Sequence, residues 1–362
     1  MNSTRTRLIF IYANQFGYHT DSHKYCEHLR DSFDITYFCF DRGLDRINLP
    51  GINVIYMPFN NGKIRRLINF YFKIIKYTKK AEIDIIFTIQ FKFCFLIGLF
   101  AKARIKVLDY RTGDLSVNAF ERKLKNIFLW FDSLFFRKIT VISEGLRDIL
   151  HLSKTNTFIL PLGGDSFSKK RHSYEHLDLL YVGSFNLRNI HQTIEGVAIF
   201  LSKHPEKSSI LSYIIIGFGV TNDEYKIMKT IEDFNLKDIV HFIGRKSYTE
   251  LPVYFDSCNF GVSYLPIKPY YEHQPVTKTF EYSNSGLFTI ATSTNENCKV
   301  ISDRNGILCE DSPNEFAIAL EHICIIKNRI NENEIRSSLK NFTWVEIING
   351  ILKPYLLNLL TQ

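Results

Sequence analysis

The residues best suited to chemistry stand in a predicted helix start near position 278. The stretch reads QPVTKTFEYSNSGLFTIATSTNEN, with Lys278 and Glu281 three positions apart. Pro275 suits the first turn of a helix and Gly286 the residue after its end, so both side chains lie on one face near the start. A lysine there can hold a phosphate, and a carboxylate one turn later can accept hydrogen bonds from sugar hydroxyls. The alternative is an ordinary amphipathic helix that leads into a buried strand.

Two glycine-containing loops follow predicted strands earlier in the chain. In LLYVGSFNLRNI, Gly183 allows close backbone approach and the loop carries Arg188 toward a helix start. In IIIGFGV, Gly217 and Gly219 follow the next strand, although many strand-to-helix turns need the same geometry. Arg188 is therefore either a phosphate ligand or a solvated loop arginine.

Other loops contain further candidate site residues, but their sequence patterns are less specific. HFIGRKSYTEL contains Arg245, and SYLPIKPYYEH ends with Glu272 and His273 just before the helix start. In the first half, DYRTGD follows a strand and contains Arg111 and Asp114. For this last pair, loop and capping chemistry is the alternative to a role at a reacting group.

Composition limits the class of protein. The 362 residues suit two ordinary domains, and 45% hydrophobic content is typical of globular proteins. Seven scattered cysteines without a C-x-x-C pair predict buried thiols in a reducing compartment. Leu8–Ala13 is too short for a signal peptide. Ile85–Ala101 is interrupted by Gln90 and Lys92, which predicts a buried strand and a core helix in a cytoplasmic protein.

Strand-like and helix-like segments alternate along the chain, which predicts two doubly wound α/β domains. Between the two series, Gly163–His176 is the predicted linker. We place a basic domain at residues 1–168, a second domain at 169–345 and a C-terminal helix, with Pro354 inside, at 346–362. The predicted strands are Arg7–Ala13, Asp34–Phe40, Asn53–Met57, Ile83–Ile89, Ile105–Tyr110, Lys138–Ile142, Thr157–Leu160, Leu177–Val182, Ser212–Ile216, Ile239–Phe242, Phe260–Ser263, Leu287–Ala291 and Gly306–Cys309.

The order of these motifs over residues 177–345 resembles that of family-4 (group 1) bacterial glycosyltransferases with a GT-B fold, found in surface polysaccharide biosynthesis. Residues 1–168 match only loosely. The resemblance implies two Rossmann-like domains facing across a cleft, with the donor bound mainly by the second domain and the acceptor by the first. It also implies that the C-terminal helix crosses back to the first domain.

Roles for individual residues follow from the same resemblance. It implies that Glu281 binds the nucleotide ribose and that Lys278 and Arg188 hold the donor diphosphate. The implied catalytic residues are Lys278, Arg188, Arg111, Glu272 and His273. The implied donor-binding residues are Gly183, Gly217, Gly219, Arg245, Lys278 and Glu281.

Three departures from the family pattern concern the reacting sugar. Ser184 stands where the family usually has a second basic residue after the glycine. Many members have two glutamates eight residues apart, but the position eight before Glu281 is His273, with Glu272 one residue away. The loop after the fifth strand lacks the usual histidine and offers Arg111 instead.

The implied reaction moves a sugar from a nucleotide diphosphate sugar to a hydroxyl of a glycan or lipid-linked acceptor, with retention (a hexosyltransferase, EC 2.4). No D-x-D motif stands in the chain, so we expect no metal and no cofactor beyond the nucleotide sugar. Two alternatives stay open: a non-catalytic nucleotide-sugar-binding or scaffolding relative, and a GT-B-like nucleotide-sugar epimerase. The resemblance implies that this reaction takes part in the assembly of O-antigen, capsule or lipopolysaccharide.

Positive charge is concentrated in the first half of the chain. Residues 1–168 carry 25 Lys and Arg against 15 Asp and Glu, whereas residues 169–362 carry 20 against 22. Residues 63–80 and 120–139 predict basic, aromatic-rich helices, which favour an anionic membrane surface over nucleic acid, because no groove-reading motif is present. Solvated lysines over a packed core are the alternative. We expect a peripheral protein at the inner face of the membrane.

Overall fold

The computed structural model describes residues 5–59 and 62–361, which form two compact units. Unit 1 comprises Met1–Leu162 and Trp344–Gln362, and unit 2 comprises Gly163–Thr343. The predicted linker is therefore part of unit 2. Its Tyr174 hydroxyl donates a hydrogen bond to the Gly286 carbonyl oxygen at 2.6 Å.

Unit 1 contains a seven-stranded sheet of order β3-β2-β1-β4-β5-β6-β7 in which every described pairing is parallel. Its strands are β1 (Thr6–Ile11), β2 (Phe33–Asp41), β3 (Ile52–Pro58), β4 (Ile85–Ile89), β5 (Ile105–Tyr110), β6 (Lys138–Val141) and β7 (Thr157–Ile159). Its first five helices are α1 (Thr20–Leu29), α2 (Lys63–Lys80), α3 (Phe95–Phe100), α4 (Ala119–Ser133) and α5 (Glu144–Ile149).

Unit 2 contains a six-stranded parallel sheet of order β10-β9-β8-β11-β12-β13. Its strands are β8 (Leu177–Ser184), β9 (Leu211–Phe218), β10 (Val240–Gly244), β11 (Phe260–Ser263), β12 (Phe288–Thr292) and β13 (Gly306–Cys309). Its α-helices are α6 (His191–Lys203), α7 (Thr221–Asp233), α8 (Leu251–Ser257), α9 (Thr277–Asn284), α10 (Asn295–Val300), α11 (Pro313–Ile326) and α12 (Glu332–Ser338).

The last segment packs within unit 1. Helices α13 (Trp344–Glu346) and α14 (Lys353–Thr361) flank a π-helical stretch, Ile347–Leu352. The regular α-helical ladder is thus interrupted just before Pro354, which has no N–H to donate. The Tyr355 ring stacks on Phe158 with centroids 4.2 Å apart, which fixes α14 beside β7.

Both sheets have the architecture that the sequence predicts. Each of the thirteen predicted strands is present, with ends shifted by at most two residues. Central strands such as β1 and β4 are apolar runs buried on both faces, whereas the edge strands β3 and β7 are half-buried. Each sheet reverses its strand order once, between β1 and β4 in unit 1 and between β8 and β11 in unit 2. Ligands of doubly wound folds bind beyond the carboxyl ends of the strands at such a reversal.

The helices on one side of unit 1 are poorly covered. Helix α2 contacts α3, and α3 contacts α4. The prediction of a core helix near residue 97 is only partly right, because Leu99 and Phe100 of α3 are about half exposed. In α4 only Asp132 and Ser133 are buried. We call the exposed residues of α2, α3 and α4 the helical face; its large apolar members are Ile64, Ile68, Phe72, Leu99, Phe100, Phe120, Leu124, Ile127, Phe128, Trp130 and Phe131.

Candidate functional site

The candidate site of unit 2 lies at the carboxyl ends of β8 and β9, where two glycines let the strands meet closely. A Cβ atom on Gly217 would lie 1.9 Å from the Gly183 carbonyl oxygen, so any other residue there would clash with backbone. A Cβ atom on Gly183 would lie 3.5 Å from Lys278 Nζ. Gly217 therefore allows the two strand ends to approach each other closely, and Lys278, from another element, lies beside Gly183.

Lys278 is a buried cation. Its side chain is 8% exposed, and its Nζ has no hydrogen-bond partner among the described residues. The ammonium group lies 3.8 Å from the centroid of the Tyr181 ring, a cation–π contact. Burial lowers the pKa of Lys278 well below its ordinary value, and the positive charge of Arg188 adds to this effect while Glu281 opposes it.

Arg188 supplies a second cation from the loop after β8. Its neighbours Leu187 and Asn189 have positive φ angles of 56° and 53°, a conformation that leucine rarely adopts and that asparagine tolerates. The guanidinium carbon lies 4.9 Å from the centroid of the Tyr271 ring, and Nη1 is buried without a hydrogen-bond partner among the described residues. Strained loops of this kind concentrate at functional sites.

The start of α9 adds backbone donors to these two cations. Its N-cap residue, Val276, provides no side-chain hydrogen bond, so the first N–H groups of the helix are not capped by that residue. The Thr279 N–H donates to the Val276 carbonyl oxygen at 3.2 Å, and the other N–H groups of the first turn and the helix macrodipole favour an anion at this end. We call Lys278, Arg188 and the start of α9 the cation cluster; a diphosphate group matches its charge and its donors.

Helix α9 is held in place by buried polar and backbone contacts. The Thr279 hydroxyl forms hydrogen bonds with Ser263 Oγ at 2.7 Å and Asn297 Oδ1 at 3.2 Å. A Cβ atom on Gly164 would lie 2.7 Å from the backbone nitrogen of Glu281, so only glycine lets this segment pack on the helix. Glu281 is half-buried one turn after Lys278. A carboxylate at that point can accept hydrogen bonds from hydroxyl groups of the same ligand.

The remaining predicted residues of unit 2 lie in different surroundings. The Glu272 carboxylate accepts a hydrogen bond from the backbone N–H of Asn295 at 3.0 Å, at the start of α10, and His273 beside it is half-buried. The Gly219 N–H donates to Glu224 Oε1 at 3.1 Å, so a helix carboxylate already uses that donor. Arg245 is exposed and lies 4.8 Å from the Phe218 ring centroid.

Arg111 of unit 1 belongs to a separate buried network. Its Nε donates to Asp21 at 2.6 Å, and its Nη1 donates to the Leu160 carbonyl oxygen at 2.9 Å. Burial raises the pKa of Asp109, which lies beneath it, to about 6, while the positive charge of Arg111 opposes the shift. The nearby His19 accepts the Ser22 N–H at the start of α1, and burial lowers its pKa.

The sequence analysis did not predict the aromatic rings that contact Lys278 and Arg188, or the carboxylate that pairs with Arg111. Tyr181 follows Leu177 and Leu179 on the same face of β8, and this period-two spacing was available from the sequence. Tyr271 and Asp21 had no such signal, because both are brought to their arginines from distant parts of the chain. Among residues 5–59 and 62–361, no group of three His, Cys, Asp or Glu side chains is arranged to hold a metal ion.

Comparisons with known proteins assign a family to one part of the chain. Residues 165–341 match the family model described as Glycosyl transferases group 1, a range that contains the whole cation cluster. No curated protein sequence matches the chain.

Solved structures resemble the whole chain at low identity. Sucrose-phosphate synthase (tll1590) from Thermosynechococcus elongatus is 16% identical with a TM-score of 0.75, over 99% of this chain and 100% of that one. Anabaena Alr3699/HepE in complex with UDP-glucose is 14% identical with a TM-score of 0.72, over 97% and 99%. The apo form of the lipopolysaccharide outer core galactosyltransferase WaaB is 12% identical with a TM-score of 0.67, over 98% and 100%. The two parallel sheets are those of the GT-B fold, and residues 165–341, which make up most of unit 2, have the sequence pattern of group 1 glycosyltransferases.

Proposed function

We propose that the protein transfers a sugar from a nucleotide diphosphate sugar to a hydroxyl of a glycan or lipid-linked acceptor, with retention and without a metal ion. The observation that carries this proposal is a pair of cations, the buried Lys278 and the half-buried Arg188, each with a buried nitrogen atom that has no hydrogen-bond partner among the described residues. A buried unpaired charge is costly. A bound diphosphate would neutralise both cations.

The cation cluster accounts for the departure of the leaving group. As the bond between the sugar and the diphosphate breaks, negative charge grows on the phosphate oxygens. Lys278 Nζ and Arg188 Nη1 are already buried and in position, so they stabilise that charge with little reorganisation, and the start of α9 adds the positive end of its macrodipole. The same charge is met by a metal ion in other transferases. We therefore expect activity to survive excess EDTA.

The other predicted residues complete the proposed donor site. Glu281 accepts hydrogen bonds from the ribose hydroxyls, and the loop of Arg245 meets the base. Glu272 or His273 faces the donor sugar. Gly183, Gly217 and Gly219 contribute backbone close to the diphosphate. UDP-glucose is the first donor to test, because the HepE structure contains it.

We propose that the acceptor belongs to envelope polysaccharide assembly and that the protein works at the inner face of the membrane. WaaB, which has the same fold, is described as a lipopolysaccharide outer core galactosyltransferase. None of the described helices combines the length and apolar character needed to cross a bilayer. The helical face instead combines exposed Phe and Ile with Lys and Arg, the composition of a surface that lies on anionic lipid.

A second function is favoured by one observation: Glu272 is already bonded to the start of α10. A carboxylate with a structural role there would suit a relative that binds a nucleotide sugar without transferring it. A nucleotide-sugar epimerase is the remaining alternative.

One incubation separates the three functions. Purified protein is mixed with labelled UDP-glucose and other nucleotide sugars, with and without membrane lipid extract, in the presence of EDTA. Transfer to lipid, or slow release of free sugar with retained configuration, supports the proposal. Binding without turnover supports the non-catalytic relative, and conversion to another nucleotide sugar supports the epimerase. Loss of activity with EDTA and rescue by manganese would contradict metal independence.

A further inference from the structure

A second cavity, of about 440 Å³, opens at the carboxyl end of the unit 1 sheet. It is lined by residues at or after the ends of β1, β2, β3 and β4 and by the start of α2, beside the point where the strand order reverses. Doubly wound folds bind ligands at this position, and the volume is that of a small-molecule site. We call it the basic-aromatic cavity.

The lining of this cavity is positively charged without compensation. Four cations, Arg42, Lys63, Arg66 and Lys92, line it together with aromatic and aliphatic side chains, and no Asp or Glu is among the described lining residues. These four cations also make no ion pair within the part of the chain that the structure describes. An anionic group is therefore the complementary ligand.

Two of the cations are held close together by one aromatic ring. The guanidinium carbons of Arg66 and Arg42 lie 3.7 Å and 5.1 Å from the centroid of the Phe59 ring. Arg66 Nη1 donates to the Phe59 carbonyl oxygen at 3.0 Å, and Arg42 Nη2 donates to that of Ala13 at 3.2 Å. Arg66 Nε is buried and has no partner among the described residues. Two guanidinium groups so placed match a phosphate or diphosphate, which accepts several N–H bonds at once.

The rest of the cavity is apolar and continues onto the helical face. Phe40 and Phe91 are buried in its wall, whereas Ile64 lines it and is 77% exposed. Ile64 also begins the exposed row Ile64, Ile68 and Phe72 along α2, at helical spacing of four. The ligand that fits such a site has a charged phosphate head and a hydrocarbon chain that leads toward the helical face.

We propose that the basic-aromatic cavity binds the phosphorylated head of a membrane lipid, and that this lipid carries or becomes the sugar acceptor. The inference rests on the proposed glycosyltransferase function and names the chemical class of its acceptor. The hydrocarbon chain packs on Phe59, Phe91 and Ile64, and the phosphate lies between Arg42 and Arg66.

Equilibrium dialysis with labelled farnesyl diphosphate tests the proposal, with excess UDP present to occupy the cation cluster. Arg42→Gln and Arg66→Gln should each raise the dissociation constant by about tenfold, the loss expected when one charged hydrogen-bond donor set is removed. Lys154→Gln, an exposed lysine after α5 and outside the cavity, should leave it unchanged. Inorganic pyrophosphate and farnesol should each compete at least tenfold more weakly than farnesyl diphosphate.

The alternatives give different results. Pyrophosphate that competes as well as farnesyl diphosphate would reduce the cavity to an anion site, and farnesol that competes as well would remove the role of the cations; either overturns the proposal. So would binding that is unchanged in folded Arg42→Gln, an exposed residue whose replacement leaves the core intact. Affinity for UDP should be normal in both arginine variants. Absence of UDP binding in the wild type, with farnesyl diphosphate still bound, would count against the proposed donor reaction and not against this cavity.

Discussion

The cation cluster of unit 2 and the helical face of unit 1 hold positive charge in opposite ways. Lys278 is 8% exposed and surrounded by strand ends, whereas Phe120 at the start of α4 is 72% exposed among lysines and arginines. In the cluster, burial makes each charge expensive until a small anion neutralises it. On the helical face, apolar side chains are left in water until a large surface covers them. One region is shaped for a diphosphate, the other for an extended anionic surface.

The largest effect should come from Lys278→Met, which removes the buried charge and keeps the volume. We expect kcat to fall by roughly 10²–10³-fold with a smaller change in donor KM, because the charge acts most strongly as the diphosphate departs. The donor-free variant should also unfold at a higher temperature than the wild type, since the cost of burying an unpaired ammonium is gone.

Steady-state kinetics and thermal unfolding check this prediction, with Lys226→Met, an exposed lysine of α7, as the matched control that changes neither. A normal kcat in folded Lys278→Met would mean that the lysine has only a packing role. The cation cluster would then no longer be a site for a diphosphate in contrast to the helical face.

Glu281→Ala should have the next largest effect, and of a different kind. If the carboxylate binds the ribose in both ground and transition states, its loss should weaken donor binding by about 1.5–3 kcal/mol with little change in kcat. Glu281→Gln keeps one acceptor oxygen and should lose less. Titration calorimetry with UDP and UDP-glucose measures the difference. Wild-type affinity in folded Glu281→Ala would remove this residue from the donor site.

Charge reversal on α2 tests the other region. Replacing Lys73, Lys76, Lys79 and Lys80 by Glu should lower affinity for anionic vesicles by at least tenfold at low salt, since each basic residue near such a surface contributes about 1 kcal/mol. Wild-type binding should weaken as salt screens the charge. The four-lysine control in unit 2 reverses Lys169, Lys170, Lys226 and Lys237, all exposed.

Vesicle flotation checks the result. If the control quadruple loses binding as fully as the α2 variant, the attraction is one of net charge and the helical face has no special role. A further variant, Phe120→Ser with Phe128→Ser, should weaken binding even at high salt, because it removes exposed apolar area and no charge.

The smallest expected effect is the uptake of less than one proton per molecule of UDP bound. Burial lowers the pKa of donor-free Lys278, so between that lowered pKa and its ordinary value near 10.5 the side chain is largely neutral. A bound diphosphate favours the charged form and raises the pKa again, so binding takes up a proton in this window. The affinity for UDP should therefore fall as pH rises through it.

Calorimetry of UDP binding in buffers of different ionisation enthalpy measures the proton uptake. Lys278→Met should abolish it, and uptake that persists in that variant would assign the proton to another group.

Much of the fold could be predicted from the sequence, because its signals are local. Strand runs such as Phe260–Ser263 and Ile105–Tyr110 have the predicted ends, since the central strands of a parallel sheet covered on both faces are largely apolar and their ends show in the sequence. The motif order around Lys278 and Glu281 likewise indicated the family of residues 165–341. The position of Gly183 and Gly217 at the ends of two successive strands could also be predicted from the sequence, although the close contact between them could not.

The sequence by itself determined the two parallel α/β sheets, the helix start that carries Lys278 and Glu281, and the excess of positive charge in the first half. Only the tertiary structure decided that Lys278 is buried against Tyr181, that Arg111 pairs with Asp21 ninety residues away, and that α4 is left largely uncovered. The physical reason is the distance along the chain over which the interactions act. Periodicity and capping depend on neighbours within a turn or a strand, whereas burial and charge pairing depend on which distant segments the sheet order brings together.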